Sequence, residues 1–156
     1  MEDYGVIRVA LQNLVAAMAV LRQSKVLNSK IDLNGEFGEW FVKTMFEGEY
    51  APINQRYWDI KIGDKKIQVK THAKGSANNN RFSRAKFHDT DETDELITIV
   101  FTYDYKLKHV YCNPWSAARE MIRRNKGGDV IYWGWQSDHE IPLKDLPNQA
   151  LVAVFT

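Results

Sequence analysis

Cysteine is nearly absent from this sequence: Cys112 is the one such residue among 156. A lone thiol closes no intramolecular disulfide and builds no cysteine-based zinc site. That sets aside disulfide-framed secreted domains and zinc fingers, and a reducing cytoplasm is the expected location. No stretch is apolar and long enough to span a bilayer, so no membrane partner is expected. The chain begins Met-Glu-Asp, without the basic start of a signal peptide. A surplus of one charge is also missing. Twenty-one Lys and Arg against twenty Asp and Glu leave a formal net charge of +1, so any charged partner must be met by local clusters. There is no internal repeat and no linker, and the length suits one domain over residues 1–156 around one core.

What is present begins with a helix from Tyr4 to Arg22. Ile7, Leu11, Leu14, Met18 and Leu21 recur at spacings of four and three and line one face. The ordinary reading is packing on the core. The same spacing also fits a dimer seam, which Ala10, Ala16, Ala17 and Ala19 would permit. A polar break at Asn28 to Asn34 precedes a second helix, Gly35 to Glu47, with Phe37, Trp40, Phe41 and Met45 on its apolar face. Strands follow over Arg56 to Ile62 and Lys65 to Thr71, joined by Gly63-Asp64, a two-residue hairpin signal. Residues 72 to 95 read as a long polar loop. Leu96 to Tyr105 and Lys108 to Cys112 read as paired strands. A helix capped by Asn113, with Pro114 at its first position, should run to Gly127-Gly128. Val130 to Trp135 reads as a strand, and Ile141 to Thr156 closes the core. This order describes a mixed α/β domain around a central sheet.

The hairpin carries the chemistry. With Gly63-Asp64 as the turn, Ile60 faces Ile67, Asp59 faces Gln68, Trp58 faces Val69 and Tyr57 faces Lys70. Opposed residues share a side of the sheet. Trp58, Ile60, Ile62, Ile67 and Val69 then form the core face, while Asp59, Lys61, Gln68 and Lys70 share the other. Asp59 and Gln68 would sit with Cβ atoms about 5 Å apart. A hard divalent cation such as Mg2+ takes oxygen ligands and keeps several waters. Asp59, the Gln68 amide oxygen and the Val69 carbonyl could supply three oxygens. Lys70 could orient a water or stabilise charge on a phosphoryl transition state. Outward charges on a half-exposed hairpin are otherwise ordinary solvated residues. Two features weigh against that reading here. Glu39, on the preceding helix, could project toward Asp59. From Lys70 to His88, Lys70, Lys74, Arg81, Arg84 and Lys86 occur with no carboxylate, among Gly75, Ser76 and Asn78 to Asn80. Such a stretch suits phosphate contacts.

Asp59, eight intervening residues, then Gln68-Val69-Lys70, preceded by Gly35-Glu36-Phe37-Gly38-Glu39, resemble the PD-(D/E)XK nuclease superfamily of restriction endonucleases and junction resolvases. The match spans about residues 35 to 72. It implies a restriction-endonuclease-like fold, a mixed central β-sheet flanked by helices, and Mg2+-dependent DNA phosphodiester cleavage, with Mn2+ able to substitute. On this resemblance Asp59 is a metal carboxylate, Gln68 a second ligand and Lys70 the catalytic lysine. Glu39, with Glu36 as its rival, is an outer carboxylate. Trp58 stands where the family has proline, and Gln68 where it has an acid, which takes one formal charge from the metal.

His72 could contact phosphate or protonate a leaving group, against the plainer reading of a polar loop residue. Asp89, Asp91, Glu92, Asp94 and Glu95 read as a solvated acidic run. Arg119, Arg123 and Arg124 offer either a second phosphate-binding face or a solvent side. Trp133 and Trp135 could stack bases but read first as core. The leading expectation is a metal-dependent DNA endonuclease, a homodimer if it cuts both strands. The alternative is a non-catalytic nucleic-acid-binding module on the same fold. A third reading is an interaction domain whose Asp59 and Lys70 form only a surface ion pair.

Overall fold

The computed structural model of the chain describes residues 3–23, 34–73 and 82–156. Its elements are α1 (Tyr4–Gln23), α2 (Asn34–Phe46), β1 (Glu49–Tyr50), β2 (Ile60–Ile62), β3 (Lys65–Ala73) and β4 (Phe82–Ala85). There follow β5 (Glu95–Phe101), β6 (Leu107–Pro114), α3 (Trp115–Met121), β7 (Asp129–Tyr132), two 3-10 turns (Gly134–His139 and Leu143–Asp145) and α4 (Gln149–Phe155). Five strands form a mixed sheet in the order β1-β2-β3-β5-β6, and β4 pairs with β7 in a separate two-stranded sheet. Only β3 and β5 run parallel within the larger sheet.

The apolar pattern explains the layering. Leu96 to Phe101 of β5 are all buried, as a strand covered on both faces requires. One face meets Phe37, Phe41, Val42 and Met45 of α2 and Leu151, Val152 and Phe155 of α4, packed with Ile67, Val69, Ile97 and Ile99. Tyr4, Ile7 and Leu11 of α1 join this core, and the Arg8 guanidinium donates to the Val154 carbonyl at 2.7 Å. The core-facing stripe of α1 is thus used inside the molecule at its N-terminal half. The other face meets a smaller cluster of Phe87, Trp115, Ala118, Ile122 and Ile131 around Leu96. Gly38 sets the approach of α2 to β3. A Cβ there would lie 1.5 Å from Thr71 Oγ1.

Next to the turn the hairpin register is as expected, with Ile60 opposite Ile67, Lys61 opposite Lys66 and Ile62 opposite Lys65, but the expected pairs Asp59–Gln68, Trp58–Val69 and Tyr57–Lys70 do not form part of the ladder. Gly63 takes a positive φ of 58° in the turn, a conformation that costs glycine nothing.

Four expectations are corrected. The first hairpin strand covers Ile60–Ile62 rather than starting at Arg56, because the Asp59 side chain replaces the ladder there. The stretch from 72 to 95 is not all loop: β3 continues through Ala73, and Phe82–Ala85 forms β4. The helix after Pro114 stops at Met121, well short of Gly127. Ile122 is extended, and Arg123 exchanges backbone hydrogen bonds with Val130 at 2.8 and 2.9 Å, so pairing with β7 wins over helix propagation. Asn113 caps nothing. It is buried within β6, its amide donating to Gln136 Oε1 at 2.7 Å, and Pro114 occupies the cap position.

Candidate active site at the edge of the hairpin

Asp59 directly precedes β2. Its backbone N–H donates to the Ile67 carbonyl, and its Oδ2 accepts the Val69 N–H at 2.7 Å. In an unbroken ladder that N–H would go to the carbonyl of Trp58. The carboxylate takes the carbonyl's place, so it lies against the backbone of β3 at the sheet edge. Asp59 Oδ1 is then the oxygen that a cation would meet.

Lys70 stands two residues along β3 from Gln68, and both alternate away from Ile67 and Val69. Gln68 is 4% exposed, covered on the face that carries the smaller cluster. Lys70 is partly buried, with its ammonium 5.7 Å from the centre of the Phe87 ring. Burial lowers the Lys70 pKa from its ordinary value, while the charges of Asp59 and Glu39 pull it back up. Glu39 projects from α2 into the same neighbourhood. Its pKa is raised, first by burial and then by Asp59, with Lys70 opposing and Glu36 adding a smaller push. Glu39, Asp59 and Lys70 are therefore electrostatically one group. Glu36 is exposed and does not act on Lys70, so Glu39 is the helix carboxylate that reaches the hairpin.

The donor set suits a hard cation. Two carboxylates stand close enough for one to disfavour ionisation of the other, and a single ammonium offsets them. No third His, Cys, Asp or Glu joins them among the described residues. Further oxygens would come from Gln68, the Val69 carbonyl and water, a set matching Mg2+ or Mn2+ better than zinc.

Beside this group a cleft of about 80 Å³ opens, lined by Asn34, Lys70, Thr71, His72, Ala73, Ser83 and Arg84. His72 is 7% exposed, its ring set edge-on to Trp133 at 4.6 Å. It is a strand residue, not the loop residue expected. Arg84 is exposed on β4, and Lys86 is exposed just after it. Lys74 and Arg81, at the two ends of the stretch 74–81, lie outside the described residues.

Several neighbours carried no signal in the sequence. Thr98 of β5 is opposite Lys70 in the parallel register and fully buried, and its hydroxyl has no hydrogen-bond partner among the described residues. Phe87 and Ser83 reach the site by long-range packing that no local spacing encodes. The acidic run is not merely solvated. Asp89 and Asp91 bind Arg119, Asp94 Oδ2 accepts the Lys66 N–H at 2.7 Å, and Glu95 pairs with Lys65. Arg124 is bonded to Asp129 and the Phe87 carbonyl. Trp133 is structural, its indole N–H donating to Ser83 Oγ at 2.9 Å.

No protein-family model matches the chain, and no curated protein matches it. The mixed sheet flanked by helices is the fold class expected from the sequence.

Proposed function

We propose that the chain is a divalent-metal-dependent nuclease acting on DNA phosphodiester bonds. The observation that carries this reading is the convergence of Glu39, Asp59 and Lys70 at the hairpin edge, where the Asp59 charge acts on both Glu39 and Lys70 and these two act on each other, beside a cleft that Lys70 and Arg84 line. Asp59 and Glu39 would hold Mg2+, with Gln68 and the Val69 carbonyl as further ligands. When bound, the ion polarises a phosphoryl oxygen and lowers the pKa of a water. Lys70 places its ammonium where negative charge grows during phosphoryl transfer, and its partial burial strengthens that interaction. Arg84, Lys86 and His72 hold the flanking phosphates, with Lys74 and Arg81 as further contacts from the adjoining segment. Cutting both strands of a duplex would take two such sites, hence a homodimer on the DNA. The single, half-buried thiol fits a cytoplasmic setting.

The neutral Gln68 favours one rival, a nucleic-acid-binding module on this fold without turnover. Plasmid nicking with Mg2+ or Mn2+, against EDTA, separates the two. Wild type should nick only with metal, and Lys70→Ala should lose at least a hundred-fold in rate with an unchanged melting curve. Metal-independent nicking, or equal rates in the two proteins, would remove Lys70 from the chemistry.

A further inference from the structure

The outer face of the β4–β7 sheet carries an aromatic run that core packing does not use. Strand alternation turns Ser83 and Ile131 inward, where both are buried, and turns Phe82 and Tyr132 outward. Tyr132 is 41% exposed and Trp135, in the turn that follows, 44%. The Phe82 and Tyr132 rings lie 5.6 Å apart between centroids, and those of Tyr132 and Trp135 4.5 Å. Each end of the run carries an arginine. The Arg84 guanidinium lies 5.9 Å from the Phe82 ring centre and that of Arg123 5.1 Å from Trp135. Neither arginine has a carboxylate within ion-pair distance among the described residues, whereas Arg119 and Arg124 both do.

Exposed large aromatics grouped together are the informative exception to ordinary surface composition. A purely apolar partner would gain nothing from an arginine at each end. A strand of nucleic acid offers what both parts take: flat π-faces for the rings and phosphates for the guanidiniums. Bases inside a duplex keep their faces hidden by stacking. Only unpaired bases can lie on this surface. Arg84 also lines the cleft beside Lys70, so a strand resting on the rings is led toward that cleft.

We propose that Phe82, Tyr132 and Trp135, flanked by Arg84 and Arg123, form a stacking platform for unpaired bases of single-stranded DNA. The platform does not depend on the nuclease reading, since binding needs no metal.

The test is fluorescence anisotropy in EDTA with a labelled single-stranded oligothymidylate and a duplex of equal length, with indole fluorescence read in parallel. Wild type should bind the single strand more tightly than the duplex and show quenching. Trp135→Ala should weaken single-strand binding about ten-fold or more, the scale of one lost stacking contact. Trp135→Phe should retain most affinity but lose the quench, and Arg123→Gln should lower affinity in a salt-dependent way. A melting curve on each variant separates lost binding from lost folding, and Arg123→Gln, at an exposed position, keeps the test open should a ring variant melt early. Equal single-strand affinity in wild type and Trp135→Ala, preference for the duplex, or binding of a proline-rich peptide in place of the oligonucleotide would each overturn the proposal. Cleavage with an unaltered quench in Trp135→Phe would fell the platform and leave the nuclease. Quenching without cleavage would do the reverse.

Discussion

Burial works against the charge of both Glu39 and Lys70, raising the pKa of the one and lowering that of the other, which is the residue-scale perturbation the proposed site calls for. The Glu39 pKa lies above its ordinary 4.5, through burial first and Asp59 second. A carboxyl whose folded pKa is raised contributes stability at low pH, and that contribution is lost as pH rises through the folded value. Glu39→Gln should therefore melt a few degrees above wild type at neutral pH in EDTA. The gap should open as pH climbs from 4.5 through the raised value and stay constant above it. Added Mg2+ should raise the wild-type melting temperature and move the variant less, because a ligand stabilises only the state that binds it. A gap that is flat across the acid range would show that Glu39 carries no such strain. Gln68→Glu probes the other departure from a fully acidic site. A charged oxygen in place of the amide should tighten Mg2+ binding several-fold by calorimetry without abolishing cleavage. A large fall in melting temperature with no change in metal affinity would mark Gln68 as a structural amide instead. The coming together of Asp59, Lys70 and Glu39 was legible from spacing and hairpin register. The bond from the Val69 N–H to Asp59 was not, since alternation places side chains above or below a sheet and this one lies at its edge.

Among the elements, those bounded by local chemistry were legible and those bounded by tertiary contact were not. Gly63-Asp64 set the hairpin, and the apolar run from Leu96 set β5. β1 is only two residues long, too short for any period. β4 follows a polar stretch, and its partner β7 lies more than forty residues away. α3 stops where Arg123 finds Val130, a pairing that overrides good helix formers. The close approach of α2 to β3 depends on a glycine whose neighbours gave no hint of it. An added methyl at Gly38 would meet the Thr71 side chain at 1.5 to 3.0 Å. Gly38→Ala should force α2 outward and cost about 1–3 kcal/mol by overpacking, seen as a lower urea midpoint at unchanged slope. Glu39 is the next residue on α2, so the same variant should also weaken Mg2+-dependent stabilisation. A methyl tolerated without loss would mean that the helix rides higher on the sheet than this packing requires.

At the scale of the whole molecule, a net charge of +1 gives no general attraction to DNA, so the DNA binding proposed here would have to come from where charges are left without a carboxylate partner. Lys65, Arg119 and Arg124 are bonded to carboxylates. Arg84 and Lys86 have no such partner among the described residues, and Arg84 lines the cleft next to Lys70. Binding should be carried by this side of the protein and be steeply salt-dependent, because each phosphate neutralised releases condensed counterions. For a duplex, log affinity against log salt has a slope of about −0.9 per contact. Arg84→Ser with Lys86→Ser should flatten that slope by about 1.8 if both residues touch phosphate. Arg119→Ser should leave it unchanged, since its guanidinium already serves Asp89 and Asp91. The two exposed ion pairs it breaks are solvent-screened and weak, so the control should stay folded. A titration in EDTA from 50 to 300 mM salt on an uncleaved duplex reads both variants. An unchanged slope in the double variant, or a flattened one for Arg119→Ser, would move the DNA path off the cleft and onto the far end of the sheet.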